Sequence, residues 1–186
     1  MTIRFAKPND AQQVALLMYQ AMEEIVCKLI GRSDIDEAIL FLKNLFEQPN
    51  NQYSYQNAIV IEENAQILGS LVFYNGADLQ FFRSPVLELA YQKYGNQINI
   101  EDETQAGETY IDTLSVHPKA QGRGIGSRLI SYLLEYIKEK ELPPAGLLVD
   151  VNNPNAERLY TRLGFEFQNE QNLTGGVYKH LVYKGK

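Results

Sequence analysis

VHPKAQGRGIGSRL, Val116 to Leu129, sets glycines at 122, 124 and 126 immediately ahead of a stretch with helical periodicity. The apolar run TYIDTLSV (109–116) before it reads as a strand. A strand, a glycine-rich turn and a helix together form an anion cradle. Free N–H groups at the helix N-terminus sit at the positive end of its dipole, and absent side chains let phosphate oxygens approach the backbone. Arg123, within the turn, suits a phosphate contact or a solvated charge equally well.

Two familiar phosphate motifs fit poorly. A P-loop needs Gly-Lys-Ser/Thr at the end of its turn, and Gly126-Ser127 carries no lysine. A dinucleotide fingerprint, G-x-G-x-x-G, needs a glycine where Ser127 stands, although GLLVD ends on Asp150, about where a ribose-binding acid sits in a Rossmann unit. That fingerprint normally follows the first strand of its unit, whereas two helices and several strands precede the turn here. A dinucleotide-binding oxidoreductase stands as one alternative.

Outward from the loop, the chain reads as one α/β (α+β) domain over 1–186, with a mixed, mostly antiparallel sheet flanked by helices. TIRFA is a first strand. Asp10 with Gln13 makes a capping-box pattern for a helix whose stripe Val14, Leu17, Met18, Ala21, Ile25 faces the core. A second helix starts near Ser33 and stops before Pro49. AIVIEE and QILGSLVFY form a hairpin around Asn64. Segment 76–107 then interrupts the sheet with a helix opened by Ser84-Pro85 and ended by Gly95. After the loop come a helix to about Lys140, the strand GLLVDV, a short helix between Asn153-Pro154 and Gly164, and a final antiparallel pair, FEFQ and VYKHLVYK.

The 186 residues are 45% apolar and 22% charged, an ordinary globular balance. No apolar run approaches the roughly 20 residues of a membrane span, and MTIRFAKPND lacks a secretory pattern, so a cytoplasmic, non-membrane protein is expected. Net charge of −6 argues against nucleic-acid binding. The charge is uneven. Residues 117–140 carry five basic side chains against two acidic, while 94–116 carry five acidic (Glu101, Asp102, Glu103, Glu108, Asp112) and no basic one. Cys27, the single cysteine, reads as a small buried hydrophobe. His117 and His180 lack metal-ligand spacing, and no metal is expected.

Two motifs in order give the loop its client. Gln121-Gly-Arg-Gly-Ile-Gly126 matches Q/R-x-x-G-x-G/A, and Asn153-Pro-Asn-Ala-Glu-Arg-Leu-Tyr160-Thr-Arg-Leu-Gly-Phe165 matches N-x-x-A-x-x-L-Y-x-x-x-G-F. With the opening IRFAKPNDAQQVALL and the strand TLSV-HP, the chain resembles the GCN5-related N-acetyltransferases along nearly its whole length outside 76–107.

The resemblance implies an acetyl-CoA-dependent transferase that acetylates a primary amine, small-molecule or peptide, by direct attack in a ternary complex. It also makes a homodimer plausible. Gln121, Gly122, Arg123, Gly124, Ile125, Gly126 and Ser127 would hold the coenzyme pyrophosphate. The backbone of Leu114, Ser115 and Val116 would take the pantetheine arm where this strand splays from GLLVDV. Asn153 would contact the arm as well as cap its helix, and Tyr160 would protonate the departing thiolate. A phenol of pKa about 10 is protonated at neutral pH and suits that task. The base is left open: Asp112, expected on the strand face of Leu114, Glu108, or water. Segment 101–112 is expected to draw in a cationic amine, with helix 84–95 as a wall of the acceptor site. A non-catalytic module that keeps the coenzyme site is the other alternative.

Overall fold

The computed structural model describes residues 1–185. Seven strands form one sheet: β1 (Thr2–Phe5), β2 (Ala58–Glu63), β3 (Gln66–Asn75), β4 (Thr109–Val116), β5 (Ala145–Asp150), β6 (Phe165–Leu173) and β7 (Gly176–Tyr183). Their order is β1-β2-β3-β4-β5-β7-β6, and only β4 and β5 run parallel. That mixed sheet excludes the doubly wound parallel architecture which the dinucleotide reading requires. Asp150 ends β5 and accepts the Asn152 N–H at 2.7 Å, closing a turn.

Two helical layers sandwich the sheet. Helices α1 (Ala11–Ile30), α2 (Ile35–Glu47) and α3 (Leu79–Tyr94) bury Val14, Met18, Phe41, Phe46 and Val86 with Ala58, Val60 and Val72 of the sheet. On the other face, α4 (Ile125–Glu139) and α5 (Pro154–Leu163) cover Ile59, Ile61, Leu71, Ile111, Leu147 and Leu181. Strand β2 is therefore buried on both faces, and it reads AIVI, a continuous apolar run. The β2–β3 hairpin turns on Asn64 and Ala65, both at positive φ (51° and 61°), the backbone a two-residue hairpin turn demands.

Several local expectations are corrected. Asp10 is not a capping box with Gln13. A 3-10 turn at Pro8–Asp10 precedes α1, the Asp10 carboxylate accepts the Lys7 N–H (2.7 Å) and pairs with Arg4 (2.7 Å), and Gln13 instead bridges to the hairpin, accepting the Ile67 N–H at 2.8 Å. Helix α2 takes Asp34, one residue past Ser33, as its cap through Glu37 N–H (3.0 Å). Helix α3 begins at Leu79 rather than at Ser84-Pro85, because an Asn75-capped turn at Gly76–Asp78 leads straight into it. Pro85 then sits inside the helix. Cys27 is half-buried rather than fully buried, and burial pushes its thiol up, towards the unreactive form.

The core stripe of α1 is also interrupted. Met22 leaves the helical backbone (φ −138°, ψ 32°), and the buried face passes from Val14, Leu17 and Met18 to Met22, Val26, Leu29 and Ile30. Ala21 is exposed and Ile25 half-buried, and both border the cavities described below.

Candidate active site

The sheet opens between its two parallel strands. β4 and β5 pair only at Thr109–Ala145, Tyr110–Gly146 and Ile111–Leu147. Further on, β4 is held by β3 as far as Val116 and β5 by β7 as far as Asp150, so the facing edges part. The resulting cleft has a volume of about 980 Å³. Leu114, Ser115 and Val116 line it from β4, Gln121, Gly122 and Gly126 from the loop and α4, and Asn153 and Tyr160 from α5. Two motifs about 30 residues apart in sequence thus border one space.

Each loop residue has a local reason for its place. Gly122 and Gly124 adopt φ of +77° and +72°, a backbone that costs a side-chain-bearing residue about 1–2 kcal/mol. Gly124 is the N-cap of α4, so the N–H groups of Ile125, Gly126 and Ser127 fall in the first turn, where no helical carbonyl can receive them. The Ile125 side chain is buried in the core, and Ser127 is half-buried; neither lines the cleft. Arg123 also lies outside the lining and pairs with Glu63 at 3.0 Å, as a surface charge. Gln121 folds back to donate to the Val116 carbonyl (3.4 Å), which Gln20 of α1 also reaches (3.1 Å). No motif pointed to Gln20.

Helix α5 presents its motif as expected. Asn153 caps it through the Ala156 N–H (3.1 Å), with Pro154 at the first helical position. Tyr160 packs against Phe165, ring centroids 5.8 Å apart, and burial pushes its phenol up to about 12. It is held neutral at physiological pH more firmly than an ordinary tyrosine.

Asp112 is where the structure departs most from simple alternation. Val72 pairs with Thr113 and Phe73 with Ile111, so Asp112 is the extra residue of a β-bulge. Leu114 packs with the α4 cluster, whereas Asp112 points to the opposite layer, overturning the expectation that the two share a face. There Gln52 Nε2 and the Tyr74 hydroxyl both donate to Oδ2 at 3.0 Å. Burial, with the Glu103 carboxylate nearby, pushes the Asp112 carboxyl up to about 7.

Asp112 and Thr113 border a second, smaller cavity of about 140 Å³ as well as the cleft. Its walls include Arg83 and Val86 of α3, so the helix of the insertion does border this space. The acidic segment is a different matter. Asp102 and Glu103 are both paired with Arg83, and Glu101 accepts the Thr174 N–H at 3.0 Å, so these carboxylates are engaged within the protein, with Arg83 offsetting one charge. Glu108 lines neither space. Its carboxylate accepts from the Thr104 hydroxyl (2.5 Å) and meets His180 Nε2 (2.7 Å), which turns it away from both spaces. The reach to His180 passes over Gly146, where a Cβ would collide with the Glu108 carboxylate. Among the described residues, no group of three or more His, Cys, Asp or Glu is placed to hold a metal, and no helix is long and apolar enough to cross a membrane.

Comparison with known proteins places this geometry. A family model described as acetyltransferase (GNAT) family matches residues 19–165. A mycothiol acetyltransferase of Acidothermus cellulolyticus is 49% identical over 59 residues, 32% of this chain and 17% of that protein. A spermine/spermidine N(1)-acetyltransferase of Bacillus subtilis is 26% identical over 88 residues, 47% of this chain and 58% of that protein. The matches thus span less than two thirds of either relative. The crystal structure of an N-acetyltransferase from Staphylococcus aureus Mu50 superposes with a TM-score of 0.86 at 26% identity, covering 98% of this chain and all of that one.

Proposed function

This chain belongs to the acetyltransferase (GNAT) family, and from that premise we propose that it is a single-domain N-acetyltransferase carrying an acetyl group from acetyl-CoA to a primary amine. The observation that carries the proposal is the position of Asp112, a carboxylate tuned to about 7 that borders both the wide cleft and the smaller cavity. One space suits a donor, the other an acceptor, and a proton-accepting group stands between them. The names of the relatives from A. cellulolyticus and B. subtilis add support for an acyl transfer to an amine-bearing small molecule.

The residues fit acetyl-CoA on structural grounds. Positive-φ Gly122 and Gly124 and the first N–H groups of α4 form a cradle for a diphosphate. The unpaired edge of β4 from Asp112 to Val116 offers main-chain groups to an extended amide-bearing arm, as an added strand would use them. Acetyl-CoA supplies the activated thioester, and the chain positions and moves protons. The amine nitrogen forms the new C–N bond while the C–S bond breaks. Asp112 accepts the proton the amine must lose, and the leaving sulfur, which departs with the bonding pair, takes its proton from the Tyr160 hydroxyl.

Calorimetric titration with acetyl-CoA, followed by thiol release across a panel of amines, tests the proposal. Saturable coenzyme binding and amine-dependent thiol release are expected. A chain that binds acetyl-CoA but releases no thiol with any amine would show it to be a binding module, and a chain that ignores acetyl-CoA would remove the reading altogether.

A further inference from the structure

The small cavity opens towards the cleft, and one part of its wall is apolar, made by Ile25 and Leu29 from α1, Val86 from α3, Ile100 from the segment after it, Leu148 from β5 and Leu173 from β6. Its volume, about 140 Å³, is close to that of a cavity which holds a benzene-sized molecule, roughly 150 Å³. Charge inside it is tightly allocated. Arg83 donates to Asp102, to Glu103 and to the carbonyls of Ile100 and Glu101. Glu103 in turn receives Arg83 and Gln52, and its Oε1 lies 3.1 Å from the Tyr74 hydroxyl, whose one proton serves Asp112. Asp112 takes both its protein hydrogen bonds on Oδ2, which leaves Oδ1 for an incoming N–H.

One further group marks the neck between the two spaces. Thr113 is 5% exposed, and its hydroxyl has no hydrogen-bond partner. A buried hydroxyl left unpaired costs about 1–3 kcal/mol, an expense that a ligand bonded to it removes. Thr113 borders both spaces, so a molecule spanning the neck reaches it.

We propose that this cavity is the acceptor site and selects a primary monoamine with a compact, uncharged, mostly apolar body of about six heavy atoms, its nitrogen at Asp112 and Thr113. The inference rests on the transferase reading above and narrows it. A polyamine is disfavoured because its second ammonium would enter a pocket whose other carboxylate is already paired to Arg83, at the cost of burying an unmatched charge. An amino acid is disfavoured for the converse reason, since four of the five Arg83 N–H donors are already committed and no pair of them is left to hold a carboxylate by two bonds. A peptide chain exceeds the cavity's volume of about 140 Å³.

The test compares benzylamine, spermidine and a short peptide with a free N-terminus at saturating acetyl-CoA, with thiol release as the signal and acetyl-CoA affinity measured separately by calorimetry. Benzylamine should have a kcat/KM at least about tenfold above either of the others. Val86→Phe and Ile100→Phe, which fill the cavity from two elements of its wall, should each raise the benzylamine KM by about tenfold or more and leave the acetyl-CoA Kd unchanged. Thermal melts identify a variant that has not folded, and Ile100, half-buried in a loop, tolerates the larger ring more readily than Val86 in its helix. Intact acetyl-CoA binding with spermidine or the peptide preferred overturns the pocket assignment alone. An unchanged benzylamine KM in folded Ile100→Phe does the same. Loss of acetyl-CoA binding in the parent protein overturns the transferase reading, and the assignment with it.

Discussion

The wide cleft and the small cavity meet at Asp112 and Thr113 but are built from different materials. The cleft is largely backbone: the parted edges of β4 and β5, two left-handed glycines and the first turn of α4. The cavity is side chains drawn from distant segments, with Gln52, Arg83, Glu103 and Asp112 tied into one hydrogen-bonded group. Backbone recognition tolerates many side chains and so leaves short, local motifs. A side-chain site is specified residue by residue, each from a different place in the chain, and leaves no motif.

Changes at the shared border should have the largest effects. Asp112→Asn is expected to lower kcat/KM by about 10²- to 10³-fold while acetyl-CoA affinity, read calorimetrically, stays within about twofold. In the parent enzyme kcat/KM should climb with pH through about 7, where Asp112 loses its proton, and the variant should lack that limb. Folding has the opposite dependence. A carboxyl raised above its unfolded value of 3.8 favours the neutral form, so stability present below that value is lost as pH rises through about 7. Melting curves should therefore show Asp112→Asn gaining on the parent at pH 8 and not at pH 4.

Tyr160→Phe probes the cleft side of the same border. A drop of about 10²-fold in kcat with acetyl-CoA binding retained is expected, since the ring still packs on Phe165 and only the donor is gone. A parallel loss of affinity would mean the tyrosine holds the ligand rather than donating a proton.

Gly124→Ala tests whether the cleft depends on backbone alone. Nothing crowds the added methyl, so the penalty comes from φ of +72° and should weaken acetyl-CoA binding by about 5- to 30-fold without altering amine preference. The smallest effect belongs to Arg123→Ala. Its partner Glu63 is only half-buried, so stability should change by less than about 1 kcal/mol in chemical denaturation. A coenzyme affinity lowered tenfold would instead return Arg123 to the phosphate site.

Much of this architecture was legible in the residues. Apolar AIVI and QILGSLVFY, the glycine-marked turn and the Asn153-Pro154 cap are local signals, and local signals suffice for strands, turns and helix ends. Where a signal had competing local partners the reading slipped. Asp10 had Arg4 and Lys7 within reach and chose them over α1, and Ser84-Pro85 looks like a helix start only while Asn75 goes unnoticed. The direction of the Asp112 side chain was not legible at all, because a bulge is defined by which residues of β3 oppose β4, a relation between strands.

The sequence by itself determined the order of elements, the glycine-marked turn before α4 and the helix that presents Tyr160, since each is written in residues close along the chain. Only the tertiary structure decided that Glu108 is turned away to His180, that Arg83 pairs with Asp102 and Glu103, and that Asp112 stands where the small cavity meets the cleft. Those outcomes depend on contacts between residues up to about 70 positions apart. Burial then sets the protonation of whatever the contacts enclose, and neither burial nor distance is a property of a residue in sequence.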